Sequence, residues 1–375
     1  MLTSNMLWNS LLAIASVAVA IQDSRIKTAL TLQTPVNGIS TTPSGRLFVL
    51  FARVDGSKGI QVAEHLSDGT YAPYPNLEWN SYAEGKDPST HLIRTNSQRI
   101  GPDGLLWLVD VGSPNFGAPV ILPDGPKLVT VNLTTNDVQR VFPLGSVTLE
   151  NSQIDDIRFN PSSGLAYITD AGVPAIIILE LSTGRAIRVL ENDSSTRGAP
   201  FPASAEGQLL HNSADPSFPV QYVYADQHEV SPDLKYYYFQ PANGGLSRIP
   251  TADLDKVYFN ESHASALPQS VSPFALTPST GGTAIDANGA IYCSDTDRQA
   301  IIRIHPNGTW HEFLRDERLL WVDAMWVSSD QKLWMPAAQL NRGTPFQENM
   351  TSKIQKPLYV YTIDIGVGPP RVDHA

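Results

Sequence analysis

Apolar and polar residues alternate in short runs along most of the chain, and one arrangement recurs. It consists of an alternating apolar run, a turn built on Pro, Asp, Asn or Gly, and a second apolar run that ends in small polar residues. Alternation with a period of two around such a turn predicts a β-hairpin. The six copies occupy residues 36–51, 95–110, 154–170, 225–240, 280–295 and 322–337.

Further apolar runs follow most of the hairpins, for example at 175–190 and 300–314, and each is broken by a glycine turn. Each repeat therefore predicts a four-stranded antiparallel sheet, and the hairpins start about 40 to 70 residues apart. We expect an all-β fold, a six-bladed β-propeller of four-stranded antiparallel blades. The segment 25–33 is expected to complete the last blade, and a pair of packed sandwiches is the alternative architecture.

The N-terminal segment has the pattern of a signal peptide. An apolar run ends in Ala18-Val19-Ala20, so residues 1–20 are predicted to be cleaved and 21–375 to form one propeller domain. A short apolar anchor is the alternative, because no Lys or Arg precedes the run. We expect a secreted or secretory-lumen protein that keeps no stable membrane anchor after cleavage. Five sequons predict glycosylation, at Asn132, Asn192, Asn260, Asn307 and Asn349.

Composition narrows the classes of function. With 42% apolar residues, the chain can bury a large core. Only 17% of the residues are charged, which disfavours long solvent-exposed helices. A net charge of −11 leaves no basic surface for nucleic acid, so we expect small-molecule partners and no nucleic acid. The single cysteine excludes an intrachain disulfide, and no zinc, nucleotide or serine-hydrolase motif is present.

Aligning the six hairpins on their turns predicts a ring of polar residues. The first strand of each blade lines the axis of a propeller, so equivalent positions should converge in one axial cavity. The ring positions are Asn37, Asn96, Asp155, Asp226, Gly281 and Asp323. Oxygen donors of this kind suit an axial Ca²⁺ or Mg²⁺, and we expect no other cofactor. Hydrogen bonds to backbone and water, or a carboxylate acting as general base, are the alternatives.

The residues two positions further along should share the face of the ring, because side chains alternate along a strand. They are Ile39, Gln98, Ile157, His228, Thr283 and Met325. Most are apolar and predict core. His228 with Asp226 is a candidate acid–base pair, and a structural histidine is the alternative.

Other residues are candidates for a pocket wall. Trp321 and Tyr222 precede ring positions and could face a ligand. Arg94 ends an insertion, 76–94, that forms either a wall or a solvated loop. Asp110, Asp170 and Asp295 recur at the ends of second strands and are interpreted as turn caps.

The repeats resemble the major royal jelly/yellow protein family. The resemblance rests on GPDGLLWLVD, the segment from IDDIRFNPSSGLAYITD to AIRVL, GGLSRIPTADL and RLLWVDAMWVSSDQKLWMPAAQLNR, and it covers nearly all of residues 30–365. It implies a secreted six-bladed propeller. Within that family the chain resembles the fungal intermolecular hetero-Diels–Alderases of tropolone–sesquiterpenoid pathways, of the eupenifeldin and xenovulene type.

That resemblance implies dehydration of a hydroxymethyl tropolone to a quinone methide, followed by [4+2] addition to a humulene-type alkene. His228, Asp226 and Asp323 would carry the catalysis. The substrate-binding candidates are Arg94, Gln98, Asn96, Tyr222, Thr283, Trp321 and Met325. The alternatives are a metal-dependent lactonase, a yellow-type tautomerase and a secreted carrier of small aromatic amines.

Overall fold

The computed structural model describes residues 22–213 and 220–374, and within them six four-stranded antiparallel sheets form a ring. The predicted six-bladed β-propeller is confirmed. From the axis outwards, the inner strands of blades 1 to 6 are Val36–Thr41, Thr95–Ile100, Ile154–Asn160, Ala225–Val230, Thr283–Ile285 and Trp326–Val327. The second strands are Leu47–Phe51, Leu105–Asp110, Leu165–Asp170, Tyr236–Pro241, Ile291–Asp295 and Lys332–Ala337.

The third strands are Val62–His65, Lys127–Asn132, Ala175–Glu180, Leu246–Pro250, Ala300–Ile304 and Leu358–Asp364. The outer strands are Tyr71–Pro73, Val138–Pro143, Ala186–Val189, Ser272–Ala275 and Trp310–Arg315, and for blade 6 the N-terminal strand Lys27–Leu32. That strand pairs antiparallel with Leu358–Asp364, so the ends of the chain share one sheet and close the ring as predicted. Pairing the two ends removes an open edge between the first and last blades.

Helical segments lie in the connections. They are the α-helices Ser194–Arg197 and Thr251–Phe259 and the 3₁₀ segments Pro88–Thr90, Glu261–Ser270, Leu340–Arg342, Thr344–Phe346 and Glu348–Met350. A small hairpin, Ser204–Ala205 with Gln208–Leu209, joins blades 3 and 4. No helix among residues 22–213 and 220–374 has the length and apolar character to cross a bilayer.

The core lies between neighbouring blades, because each sheet presents an apolar face to the next. Tyr167 of blade 3 packs on Tyr237 of blade 4 with ring centroids 5.0 Å apart, inside a fully buried cluster. Cys293 is buried in blade 5, and burial raises the pKa of its thiol to about 12. Burial of this kind supplies about 25 cal/mol for each Å² of apolar surface removed from water.

The inner strands of blades 1 to 4 share an irregularity at the axis. In each, the pairing register shifts at or next to the ring position, between Val36 and Gly38, Thr95 and Ser97, Ile154 and Ile157, and Ala225 and His228. A β-bulge breaks strict alternation, because an extra residue on one strand faces a single residue on its partner. The residue after the ring position therefore also faces the axis.

This bulge makes one sequence expectation wrong. Of the residues two positions beyond the ring, Ile39, Ile157 and Met325 lie in apolar clusters between blades, and Gln98 and His228 are also buried away from the axial cavities. Thr283 alone lines an axial space. The axis beneath the ring is lined instead by Ser97, Asp156, Gln227, Gly282 and Ala324.

The five predicted glycosylation sites lie within the described residues. The predicted signal peptide, 1–20, lies outside the described residues. Asn192, Asn260, Asn307 and Asn349 are exposed, and Asn132 is half-buried and accepts the backbone N–H of Thr134. Glycosylation at the five sites stays a prediction.

Candidate functional site

A cavity of about 270 Å³ opens at one end of the propeller axis, and all six ring positions line its floor. They come together because each sits at the same depth on an inner strand. The alignment of the hairpins therefore predicted a real juxtaposition. Gly281 leaves a gap in the ring, where an added Cβ would come within 2.9 Å of the Trp321 indole nitrogen.

Hydrogen bonds connect one side of the ring from blade to blade. Asn37 Nδ2 donates to the backbone carbonyl of Asn96 at 2.8 Å, and Asn96 Nδ2 donates to Asp155 Oδ1. Gln153 Nε2 donates to Asn96 Oδ1 at 2.9 Å. Asn37 Oδ1 is a buried acceptor without a hydrogen-bond partner, so the floor offers an acceptor to a ligand that carries an N–H or O–H.

Asp155 and Asp226 form a pair of buried carboxyl groups in the floor, close enough for each to shift the pKa of the other. Burial raises the pKa of Asp155 to about 6, and burial together with the charge of Asp155 raises that of Asp226 well above its ordinary value. Two carboxyl groups in contact cannot both ionise readily, so the pair holds one proton near neutral pH.

Asp323 is the third carboxyl group of the floor. Its Oδ2 accepts the Trp321 indole N–H at 2.9 Å, and its Oδ1 accepts the backbone N–H of Ala324 at 2.9 Å. Burial raises its pKa well above the ordinary value despite these hydrogen bonds. Within the described residues, no Lys or Arg lies in ion-pair distance of Asp155, Asp226 or Asp323. The floor is therefore acidic and uncompensated.

Several of the oxygen donors expected to hold an axial cation already accept hydrogen bonds within the protein. Asn96 Oδ1 accepts from Gln153, Asp155 Oδ1 from Asn96, and Asp323 Oδ2 from Trp321. Among residues 22–213 and 220–374, no group of three or more His, Cys, Asp or Glu has the geometry to hold a metal ion.

The upper wall of the cavity is apolar. One cluster lies over the axis instead of between blades, and it contains Leu210, Trp321 and Phe346 with Phe116, Val223 and Leu340 against it. Phe116 and Phe346 come from loops of blades 2 and 6, and their rings meet edge to face with centroids 4.8 Å apart. The cavity thus combines an apolar aromatic wall with a carboxyl floor.

Below the ring, the axis changes character. A void of about 30 Å³, room for about one water molecule, separates the ring from a buried set of ion pairs. Arg158 donates to both oxygens of Glu229 at 2.9 and 3.0 Å and also binds Asp156. Arg99 Nη1 binds Asp373 Oδ2 at 2.7 Å. We call Arg99, Asp156, Arg158, Glu229 and Asp373 the lower network.

The C-terminal segment covers this far end of the axis. His374 stacks on Trp326 of blade 6 with ring centroids 3.7 Å apart. Its Nδ1 lies 2.9 Å from Asp373 Oδ2 and its Nε2 lies 2.8 Å from the carbonyl of Val327. Because Asp373 also pairs with Arg99 of blade 2, the segment ties two blades together across the axis.

Half of the residues predicted for the site line the axial cavity. They are Asp226, Asp323, Asn96, Tyr222 and Trp321. Thr283 lines the small void below and donates to Glu229 Oε1 at 2.8 Å. Their roles in catalysis or binding stay predictions.

The other four do not line the cavity. Gln98 donates to the backbone of Phe48, and Met325 packs in the core of blade 6. Arg94 lies behind the wall, with its guanidinium on Gln153 and the Phe116 ring. The rest of the 76–94 insertion is also absent from the wall; instead, Trp79 packs on the core beside blade 1.

His228 is not an acid–base partner of Asp226 in this geometry. The bulge turns its ring into the blade, where Nδ1 lies 2.8 Å from the Tyr237 hydroxyl and Nε2 has no partner. Burial, reinforced by Arg158, lowers its pKa well below the ordinary value. A neutral structural histidine fits these surroundings.

Sequence reasoning missed Gln153 and the wall residues Phe116, Leu210, Leu340 and Phe346, which lie in loops outside the repeat. The lower network did leave a signal, because Arg99, Arg158 and Glu229 occupy one aligned position in three successive inner strands. Charged residues at a buried strand position predict mutual pairing. The interpretation of Asp110, Asp170 and Asp295 as turn caps agrees with the structure, since each accepts the backbone N–H of the second residue after it.

Comparison with known proteins places this architecture. The model of the major royal jelly protein family matches residues 99–353. The chain belongs to the major royal jelly protein family. No curated protein matches the chain.

Solved structures similar to this royal jelly family chain are also six-bladed propellers of other kinds. A luciferin-regenerating enzyme is 12% identical with a TM-score of 0.55, covering 92% of this chain and 96% of its own. Regucalcin from Agrobacterium tumefaciens, a calcium-binding protein, is 14% identical with a TM-score of 0.51, covering 91% and 95%. A gluconolactonase from Xanthomonas campestris is 12% identical with a TM-score of 0.52, covering 93% and 92%. At these identities the similarity shows the fold alone.

Proposed function

We propose that this protein is a small-molecule enzyme whose axial carboxyl pair performs acid–base catalysis on an uncharged, unsaturated substrate. The observation that carries the proposal is the Asp155–Asp226 pair, which holds a proton at the floor of an aromatic-walled cavity. A carboxyl group with a pKa raised towards neutrality serves as proton donor or acceptor at physiological pH. The apolar wall supports binding of a flat hydrocarbon-rich molecule.

The reaction we propose is loss of water from a hydroxymethyl tropolone, followed by [4+2] addition to a humulene-type alkene. One carboxyl group of the pair protonates the leaving hydroxyl, and the C–O bond breaks to release water. The other takes the proton of the tropolone hydroxyl, which gives the quinone methide. The cycloaddition then forms two bonds without proton transfer, and exchange across the pair restores its starting state.

The size of the cavity supports an unequal placement of the two reactants. A space of about 270 Å³ is at the small end for ligand pockets and suits the tropolone ring. The alkene would then lie at the mouth, against Phe116, Leu340 and Phe346. Holding both reactants in contact accounts for catalysis of the addition, because orientation removes much of its entropic barrier.

Incubation of the protein with a hydroxymethyl tropolone and a humulene-type alkene tests this proposal, with chiral analysis of the adduct. We expect one enantiomer from the wild type, unchanged by EDTA, and loss of the rate in D155N and D226N. D137N, an exposed carboxylate on a turn, is the matched control. A racemic adduct formed at the uncatalysed rate would refute the reaction, and inhibition of adduct formation by EDTA would refute a metal-free mechanism.

Binding of a small aromatic amine without chemistry is the second candidate. It is favoured by the floor itself, which presents three carboxyl groups without a cationic partner below aromatic side chains. An ammonium group would replace the shared proton, and aromatic faces attract cations. Calorimetry in buffers of different ionisation enthalpy would detect about one proton released per amine bound.

A further inference from the structure

Three side chains form a hydrogen-bonded relay that ends on the carboxyl pair. Arg94 Nη2 donates to Gln153 Oε1 at 2.5 Å, and Gln153 Nε2 donates to Asn96 Oδ1 at 2.9 Å. Asn96 Nδ2 then donates to Asp155 Oδ1. Arg94 and Gln153 occupy equivalent positions, each two residues before a ring residue, so the relay crosses from blade 2 to blade 3.

The relay has one direction because its first member cannot accept a hydrogen bond. A guanidinium group only donates, so Gln153 must turn its oxygen to Arg94 and its NH₂ to Asn96. Asn96 must in turn present its oxygen to Gln153 and its NH₂ to Asp155. Arg94 is itself held by the Ser113 carbonyl at 3.3 Å and hydroxyl at 3.1 Å, and the Ser113 hydroxyl donates onward to the carbonyl of Asn115.

As a consequence, Asp155 accepts a hydrogen bond from the side-chain N–H of Asn96. A donated hydrogen bond favours the ionised form of a carboxyl group. Asp226 receives a side-chain N–H at Oδ2 from Gln227, which also binds the carbonyl of Thr280 at 2.9 Å. Because Gln227 engages Oδ2, the other oxygen of Asp226, Oδ1, can carry a proton.

We propose that Arg94 is a positioning residue that determines, through Gln153 and Asn96, which carboxyl group of the pair holds the shared proton. Asp226 is then the acid and Asp155 the carboxylate. The catalytic meaning of this assignment rests on the proposed function, whereas the location of the proton does not.

The charges around the pair act in the same sense as the relay, because Arg158 and Arg94 lower the pKa of Asp155 whereas Asp323 raises that of Asp226. Asp323 faces Asp226 from blade 6, and Asp156, Arg158 and Arg94 face Asp155 from blades 2 and 3. Burial lowers the pKa of Arg94 to about 10, which leaves it cationic at neutral pH. The relay adds to this difference a hydrogen bond whose direction is fixed by Arg94.

The test is a pH titration of the two carboxyl groups by ¹³C NMR, on full-length protein labelled at aspartate Cγ. D155N and D226N assign the two resonances. In the wild type we expect Asp155 to ionise at lower pH than Asp226. In Q153E the new carboxylate still pairs with Arg94 but has no N–H for Asn96, so Asn96 reverses and the order of ionisation reverses with it.

Q153M separates the effect of the Asn96 orientation from the effect of an added charge. Methionine has a shape similar to that of glutamine, but it donates no hydrogen bond and carries no charge. We expect it to bring the two pKa values together, whereas R140Q, at an arginine that packs on Phe142 away from the axis, should leave both in place. An unchanged order in both Gln153 variants would overturn the proposal. Reversal in Q153E without catalysis by any form of the protein would uphold the relay and refute only the enzyme activity. If the activity exists, Q153E should lower kcat about tenfold or more.

Discussion

Asp155 and Asp156 are adjacent in the sequence and face the same axis, yet they belong to two chemically opposite levels. Asp155 stands in the acidic floor, where burial raises its pKa to about 6. Asp156 belongs to the lower network; burial opposes its ionisation too, but Arg158 and Arg99 outweigh burial and lower its pKa well below the ordinary value. The difference comes from the partners, not from the residue type or depth.

The two levels also differ in what they contribute to the molecule. In the lower network each carboxylate has an arginine or histidine within hydrogen-bond distance, so its charges are fixed and serve the structure. In the floor the carboxyl groups are satisfied by amides, an indole and one another, so a proton can enter or leave. Unpaired carboxyl groups weaken a fold, and they persist where chemistry or binding uses them.

The largest effect should come from breaking the lower network. R158M leaves Asp156 and Glu229 as buried charges without their guanidinium partner, and we expect a loss of about 3–5 kcal/mol in the free energy of unfolding. Guanidinium chloride unfolding followed by fluorescence measures it. R140M, which removes an arginine without an ion pair, should cost far less. Equal losses in the two variants would contradict the contrast between the levels.

Neutralising the floor should affect chemistry and spare the fold. We expect D226N to lower kcat for the proposed dehydration about 100-fold, because the shared proton is lost, while the unfolding free energy stays equal or rises. Single-turnover kinetics and denaturant unfolding of the same preparation measure both. A destabilised D226N would place Asp226 with the structural carboxylates below it.

A smaller effect should appear in the pH dependence of stability. A carboxyl group whose pKa is raised by folding stabilises the protein below its unfolded pKa, and this contribution is lost as pH rises through the folded value. For Asp155 the window runs from the ordinary value of 3.8 to about 6. Relative to wild type, D155N should therefore gain about 2 kcal/mol between pH 4 and pH 7. Unfolding free energies of D155N and wild type across that pH range measure the gain. A difference between them that does not change with pH would contradict the prediction. For the control D137N we expect such a constant difference.

The smallest effect concerns the segment that covers the far end. H374A removes the stack on Trp326 and the contact with Asp373, so we expect a loss of about 1 kcal/mol. Hydrogen exchange of residues 366–374 should rise, while the floor stays protected. R371A, at an exposed neighbour, is the control. Unchanged exchange in H374A would mean that the segment is held by other contacts.

The sequence predicted the architecture well because each blade repeats the same local signals. Hairpin turns, alternation and the leftover strand at the N-terminus are sufficient to count six blades and to close the ring. The ring of polar residues followed from the same repeat, since equivalent positions in a symmetric fold meet at the axis.

The rest of the site could not be predicted from the repeat. The bulge at the ring position turns the side chains of His228 and Gln98 away from the axis. The apolar pattern of the sequence does not reveal such a one-residue shift of register. The cavity wall comes from loops of unequal length, including Phe116 and Phe346, whose meeting depends on the path of each loop. Gln153 could not be singled out in the sequence, because its role depends on hydrogen bonds to Arg94 and Asn96 of the neighbouring blade.

Asp373 and His374 connect blades 2 and 6 at the end of the axis opposite the cavity. Under the proposed function both reactants would enter through the mouth of the axial cavity, so the entry of one and the release of another would compete. If two reactants are used, the smaller has to settle first and the larger then seals it in. Because the adduct is larger than either reactant, its release through the mouth would be a step of turnover separate from the acid–base chemistry of the floor.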